Sequence, residues 1–160
     1  MVKPTSLSIL REVPPGYLAH YVIDASVALK WILDEDHAET ARRYAQGAAE
    51  GRLRLSVPSL FWYEVANALR YTQARENQLR LLAEAWSVLR DVPIHTIEFS
   101  PEAFPLVAGL ASRYDITVYD SAYVFLAQSL QVPLITADER LVQRCAGLPF
   151  VWLLGSFPNE

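Results

Sequence analysis

Short apolar strand-like runs alternate with helical stretches from residue 19 to residue 154, and this alternation limits what the chain can fold into. Residues 19–24, 53–57, 94–98, 132–136 and 150–154 read as strands. Helical patterns fall at 27–33, 37–50, 59 to about 74, 79–92, 101–114, 119–130 and 138–146. Gly51 stops the second helix, Pro58 sits where the third would begin, and Pro105 is placed to distort the first turn of the fifth. Each strand is joined to the next by a segment long enough for a right-handed parallel crossover. The expected class is α/β, with a small, mostly parallel β-sheet flanked by helices on both faces.

A chain of 160 residues suits a single domain, here expected over residues 19–156 after an irregular leader at 1–18 that Pro4, Pro14, Pro15 and Gly16 break up. An apolar fraction of 52% fits a packed globule and argues against disorder. No apolar run approaches the roughly 20 residues that span a bilayer, and the short patch Leu7, Ile9, Leu10 makes a poor secretory signal. The single cysteine, Cys145, excludes an internal disulfide. It lies one helical turn after Leu141, so a buried or half-buried thiol in a reducing, cytoplasmic setting is expected. His20, His37 and His95 lack zinc-ligand spacing. The net charge of −4 does not mark a duplex binder, yet an acidic site that holds a cation would itself lower the total. Charge therefore decides little.

Four carboxylates stand out by setting. Asp24 and Asp138 lie at or just past the ends of strand-like runs, Asp120 opens a helix, and Glu64 interrupts a helix that is otherwise apolar in its first half. In parallel α/β sheets, ligands bind beyond the carboxyl ends of the strands, where Asp24 and Asp138 fall. Each has a plain alternative. Asp24 and Asp138 suit helix N-caps, Thr117-x-x-Asp120 resembles a capping box, and Glu64 shares a stripe with Asn67 and Tyr71 that solvent could cover. Against that last reading, Leu60, Phe61, Trp62 and Tyr63 surround the first half of the helix, and an enclosed carboxylate needs a partner or a metal. Carboxylates brought together repel unless a proton or cation intervenes, and oxygen-only ligands point to Mg²⁺ or Mn²⁺.

The order of these pieces resembles the PIN-domain family, and within it the VapC-type ribonuclease toxins of toxin–antitoxin pairs. The matching stretches are IDASVALKW at 23–31, EVANAL at 64–69, YDSAYVFLA at 119–127 and LITAD at 134–138, and the likeness covers residues 21–152. The resemblance implies Mg²⁺- or Mn²⁺-dependent cleavage of RNA, with Asp24, Glu64, Asp120 and Asp138 at the family's four acidic positions. It places Ser26 and Thr136 at supporting hydroxyl positions. It also implies a homodimer and a cognate VapB-type antitoxin, whose peptide would cover the acidic cleft and could pair an arginine with these carboxylates. The leader departs from the family, whose members begin almost at the first strand.

Ser26 and Thr136 could bond a ligand carboxylate or merely cap a helix. Lys30 and Arg140 are candidate substrate contacts, with solvated surface side chains as the alternative; Arg70, Arg75 and Arg144 are weaker ones. Trp31, Trp62, Tyr63 and Trp86 suit core or interface positions better than base stacking. A haloacid-dehalogenase-type phosphatase would want an aspartate where Ser26 stands, and a response-regulator receiver needs an acidic pair and a late lysine that are missing. The serious rival is a non-catalytic PIN-like scaffold that binds RNA or protein.

Overall fold

The structure is a computed structural model that describes residues 18–71 and 75–158. The leader expected at 1–18 lies outside the described residues except for Leu18, as does the end of the third helix near residue 74. The strands are β1 (Ala19–Ile23), β2 (Leu53–Pro58), β3 (Ile94–Ile97), β4 (Leu134–Thr136) and β5 (Val151–Leu153). The helices are α1 (Ala25–Ile32), α2 (Ala38–Ala49), α3 (Leu60–Tyr71), α4 (Arg75–Asp91), α5 (Phe104–Tyr114), α6 (Val118–Leu130) and α7 (Glu139–Arg144). All five strands form one sheet in the order β3-β2-β1-β4-β5, and every pairing is parallel.

That order reverses direction once. The chain steps outward from β1 through β2 to β3, then returns past β1 to β4 and β5. Right-handed crossovers therefore put α1–α4 on one face and α5–α7 on the other. The contacts agree: α1 packs on α2, α3 and α4, whereas α5 packs on α6. The reversal falls between β1 and β4, whose carboxyl ends are the ordinary ligand position of such a sheet. The central strands are dry. Val22, Ile23, Leu55, Val57, Leu134 and Ile135 are fully buried, as strands covered on both faces must be.

Three local expectations shift. Pro58 is the last residue of β2 and not the first of α3, because its lack of an N–H costs nothing at a strand end. Pro101 opens a 3-10 turn (Pro101–Ala103), and the α-helix begins only at Phe104, with Pro105 in its first turn where its missing N–H is tolerated. The first half of α3 is not enclosed. Phe61, Val65 and Leu69 face the core, but Tyr63 is 79% exposed. Its aromatic run covers one side of the helix, and enclosure is not what constrains Glu64. Cys145 is buried and unpaired, and burial raises the pKa of its thiol. No helix among the described residues is long and apolar enough to cross a membrane.

Candidate active site

Asp24 is the first residue after β1 and the N-cap of α1. Its backbone stays extended, and its Oδ1 accepts the Val27 N–H at 3.3 Å. The side chain is buried, and both oxygens are occupied by hydroxyls. Ser26 Oγ donates to Oδ1 and Thr136 Oγ1 donates to Oδ2, each at 2.5 Å. Each hydroxyl also accepts a backbone N–H from the turn after β4: Ala137 on Ser26 at 2.8 Å, and Asp138 on Thr136 at 2.9 Å. Two serial hydrogen bonds thus tie the end of β1 to the end of β4. Ser26 and Thr136 serve the carboxylate and do not cap a helix through a backbone amide of their own first turn. Burial still outweighs these donors, with a smaller push from Asp138, and raises the Asp24 pKa from its ordinary value to about 6.

The other acids are set by their own helices. Asp138 is the N-cap of α7 and accepts from Arg140 N at 2.8 Å and Leu141 N at 3.2 Å through Oδ1. Thr117 caps α6 by accepting the Asp120 N–H at 3.0 Å, and its hydroxyl donates to Asp120 Oδ2 at 2.7 Å. The capping readings of Asp24, Asp138 and the Thr117–Asp120 pair therefore hold. They do not exclude a second role, because a cap uses one oxygen or the backbone and leaves lone pairs available. Glu64 is half-buried on α3. Its Oε2 accepts the hydroxyl of Tyr123, a fully buried residue of α6. Burial raises the Glu64 pKa, the Tyr123 bond opposes that, and the charges of Asp24 and Asp120 add to it.

The four acids form one electrostatic set, since Asp138 acts on Asp24, and Asp24 and Asp120 both act on Glu64. Direct hydrogen bonds gather Asp24, Ser26, Thr136 and the Asp138 backbone; Glu64 and Asp120 join only through charge. Among the described residues, no three Asp, Glu, His or Cys side chains close into a ready cage for an ion. The donor chemistry nevertheless suits a hard cation. Every donor is oxygen, and among the described residues no lysine or arginine is ion-paired with any of the four. A buried carboxylate without a counter-charge takes up a proton or a cation. Mg²⁺ keeps several waters and needs only one or two protein carboxylates, so an open set is compatible with it.

Of the candidate substrate contacts, Arg140 adjoins the set, because its backbone N–H donates to Asp138 Oδ1. Lys30 pairs with Glu35 at 3.2 Å, and Arg140 is exposed in the first turn of α7. Arg70 donates to the Tyr71 hydroxyl and Arg144 pairs with Asp115. Trp31 is a core residue whose indole N–H donates to Ala41 O at 2.9 Å, while Trp62 packs edge-on against Trp86 and donates to Thr96. Tyr123 was not among the sequence candidates. The available signal was a tyrosine, where phenylalanine would pack equally well, three residues after Asp120 in an apolar helix.

The PIN domain sequence profile matches residues 21–147. A relative named Ribonuclease VapC3 from Pyrobaculum aerophilum is 34% identical over 134 residues, which cover 79% of this chain and 95% of the relative. Among solved structures, PAE2754 from Pyrobaculum aerophilum superposes with a TM-score of 0.62 at 20% identity, over 87% of this chain and 93% of its own. A toxin–antitoxin complex from Klebsiella pneumoniae gives a TM-score of 0.56 at 17% identity, over 82% and 95%. At these identities the two structures speak for the fold.

Proposed function

Because this chain belongs to the PIN-domain family, we propose that it is a Mg²⁺- or Mn²⁺-dependent endoribonuclease, the toxin of a toxin–antitoxin pair. One observation carries the reading. Asp24 is a buried carboxylate with no cationic partner among the described residues, held by two hydroxyls where the strand order reverses and within electrostatic reach of Asp138 and Glu64. A scaffold that only bound RNA would have no use for such an arrangement, which raises the proton affinity of Asp24 and Glu64 and lowers stability at neutral pH. The ribonuclease name of the Pyrobaculum relative supports the activity.

Asp24 and Asp120 would hold the ion directly, with Asp138 and Glu64 completing its surroundings directly or through water. A bound divalent cation supplies an activated water and stabilisation of the leaving oxygen in phosphodiester hydrolysis. Ser26 and Thr136 keep Asp24 oriented, since each donates to one of its oxygens and is itself locked by a backbone N–H. Thr117 does the same for Asp120. The burial of Asp24 excludes water from its far side and strengthens every electrostatic interaction there.

An antitoxin of the VapB type is the proposed partner, supported by the toxin–antitoxin complex among the structures of like fold. A homodimer is proposed as well. Phe104, Leu106, Val118 and Tyr119, between 50% and 64% exposed, form apolar surface on α5 and α6, and Phe104, Val118 and Tyr119 line a groove of about 420 Å³ with Phe99 and Pro58. The test of function is incubation of the purified protein with RNA in Mn²⁺, in EDTA, and with Asp120→Asn in Mn²⁺. Cleavage confined to the first condition supports the nuclease. Cleavage in EDTA contradicts it, and no cleavage in any condition favours the scaffold.

A further inference from the structure

This inference rests on the nuclease reading and concerns a residue outside the four acids. We propose that Tyr123 is a positioning residue, whose hydroxyl joins α6, which carries Asp120, to Glu64 on α3 and holds Glu64 toward the ion.

Tyr123 is 1% exposed and stands on α6 three residues after Asp120, so both project from the same side of the helix. Its hydroxyl donates to Glu64 Oε2 on α3. The backbone N–H of Ala25, the residue after Asp24, acts on the same phenol oxygen. That N–H belongs to the first turn of α1, where helix amides have no partner of their own. One oxygen atom on α6 therefore bonds α3 and lies near the β1–α1 junction. Burial and the negative charges of Glu64 and Asp24 raise the pKa of the phenol.

Packing alone does not account for a hydroxyl here. A buried phenol that lacked a partner would be costly, and phenylalanine would fill the same space without that risk. Glu64 needs the bond in turn, because its α3 neighbours Tyr63, Ala66 and Asn67 are exposed and no other side chain among the described residues bonds its carboxylate. Without the hydroxyl, Glu64 is free to swing to solvent.

The test is Tyr123→Phe, Glu64→Ala and the double variant in the full-length chain. Mn²⁺ affinity by titration calorimetry is expected to fall about 10- to 100-fold in Tyr123→Phe, the usual effect of losing a group that orients a ligand. The melting temperature should move only a few degrees. For RNA cleavage, kcat should fall while KM for RNA holds. In the double variant the Mn²⁺ loss should equal that of Glu64→Ala alone, since the hydroxyl acts through that carboxylate. Unchanged Mn²⁺ affinity in Tyr123→Phe, or losses that add in the double variant, would overturn the assignment. A wild-type chain that neither binds Mn²⁺ nor cuts RNA would remove the nuclease reading instead. The joint is then judged by urea unfolding of the same four proteins without metal, where additive stability losses count against it and non-additive ones for it.

Discussion

Thr136 Oγ1 lies 2.5 Å from Asp24 Oδ2, in a hydrogen bond that spans 112 positions of sequence and locks the end of β4 to the end of β1. The hydroxyl is fully buried and also receives the Asp138 N–H, so it supports a carboxylate and a turn together. Thr136→Val keeps the shape and removes both bonds. It should destabilise the fold by about 1–3 kcal/mol at pH 7, read by urea unfolding. The loss should shrink near pH 4, because the missing donor matters most when Asp24 is ionised. Equal losses at both pH values would contradict this account of the bond.

Burial makes Asp24 a pH-dependent element. Its folded pKa of about 6 lies above its ordinary value of 3.8, so the folded chain holds this proton more tightly than the unfolded one. Below about pH 4 the group contributes no difference. As pH rises through 4 to 6 stability falls, and above that a constant penalty on the order of 3 kcal/mol remains. In the proposed nuclease a divalent cation would substitute for the proton. Mn²⁺ should therefore raise the melting temperature more at pH 7.5 than at pH 5, where it competes with protonation. A larger shift at pH 5 would be the wrong sign.

Asp120 is the acid whose removal disturbs the fold least. It is part-exposed, and the cap of α6 uses its backbone N–H. Asp120→Asn keeps that cap and an acceptor for Thr117, so circular dichroism and the metal-free melting temperature should be unchanged or slightly raised by relief of repulsion toward Glu64. RNA cleavage should fall by more than about 100-fold. Retained cleavage would remove Asp120 from the ligand set.

The exposed surface of α5 and α6 gives a separate prediction for assembly. Phe104 is 56% exposed beside Val118 and Tyr119. Light scattering should report a dimer for the parent chain and a monomer for Phe104→Glu, with the fold retained. A monomeric parent at micromolar concentration would contradict the dimer.

The helices and strands were legible because each carries its own period, and the switch from alternating to helical spacing is local information. The acids were legible less as single residues than as an ordered set, since Asp24, Asp120 and Asp138 each satisfy a capping rule on their own and do cap, or help to cap, in the structure. The hydroxyls of Ser26 and Thr136 were legible only as alternatives. Both bond Asp24, and the Thr136 bond depends on the adjacency of β1 and β4, a long-range fact that periodicity does not encode. Glu64 was singled out on a premise that the structure corrects. An apolar run around a helix does not bury every side of it when only one side packs on the core, as the exposure of Tyr63 shows. Tyr123 escaped notice because it reads as another core aromatic until its partner on α3 is known. Lys30 was a candidate for phosphate or for a neighbouring carboxylate, and in the structure it pairs with the carboxylate of Glu35.

Whether the oxygens of these acids share an ion is addressed most directly by anomalous diffraction from crystals soaked in Mn²⁺. The prediction is a peak bonded to Asp24 and at least one of Asp120, Asp138 and Glu64, at about 2.0–2.6 Å as hard cations require. A well-diffracting soaked crystal with no peak among these four residues, or with Mn²⁺ only at surface carboxylates elsewhere, would contradict it.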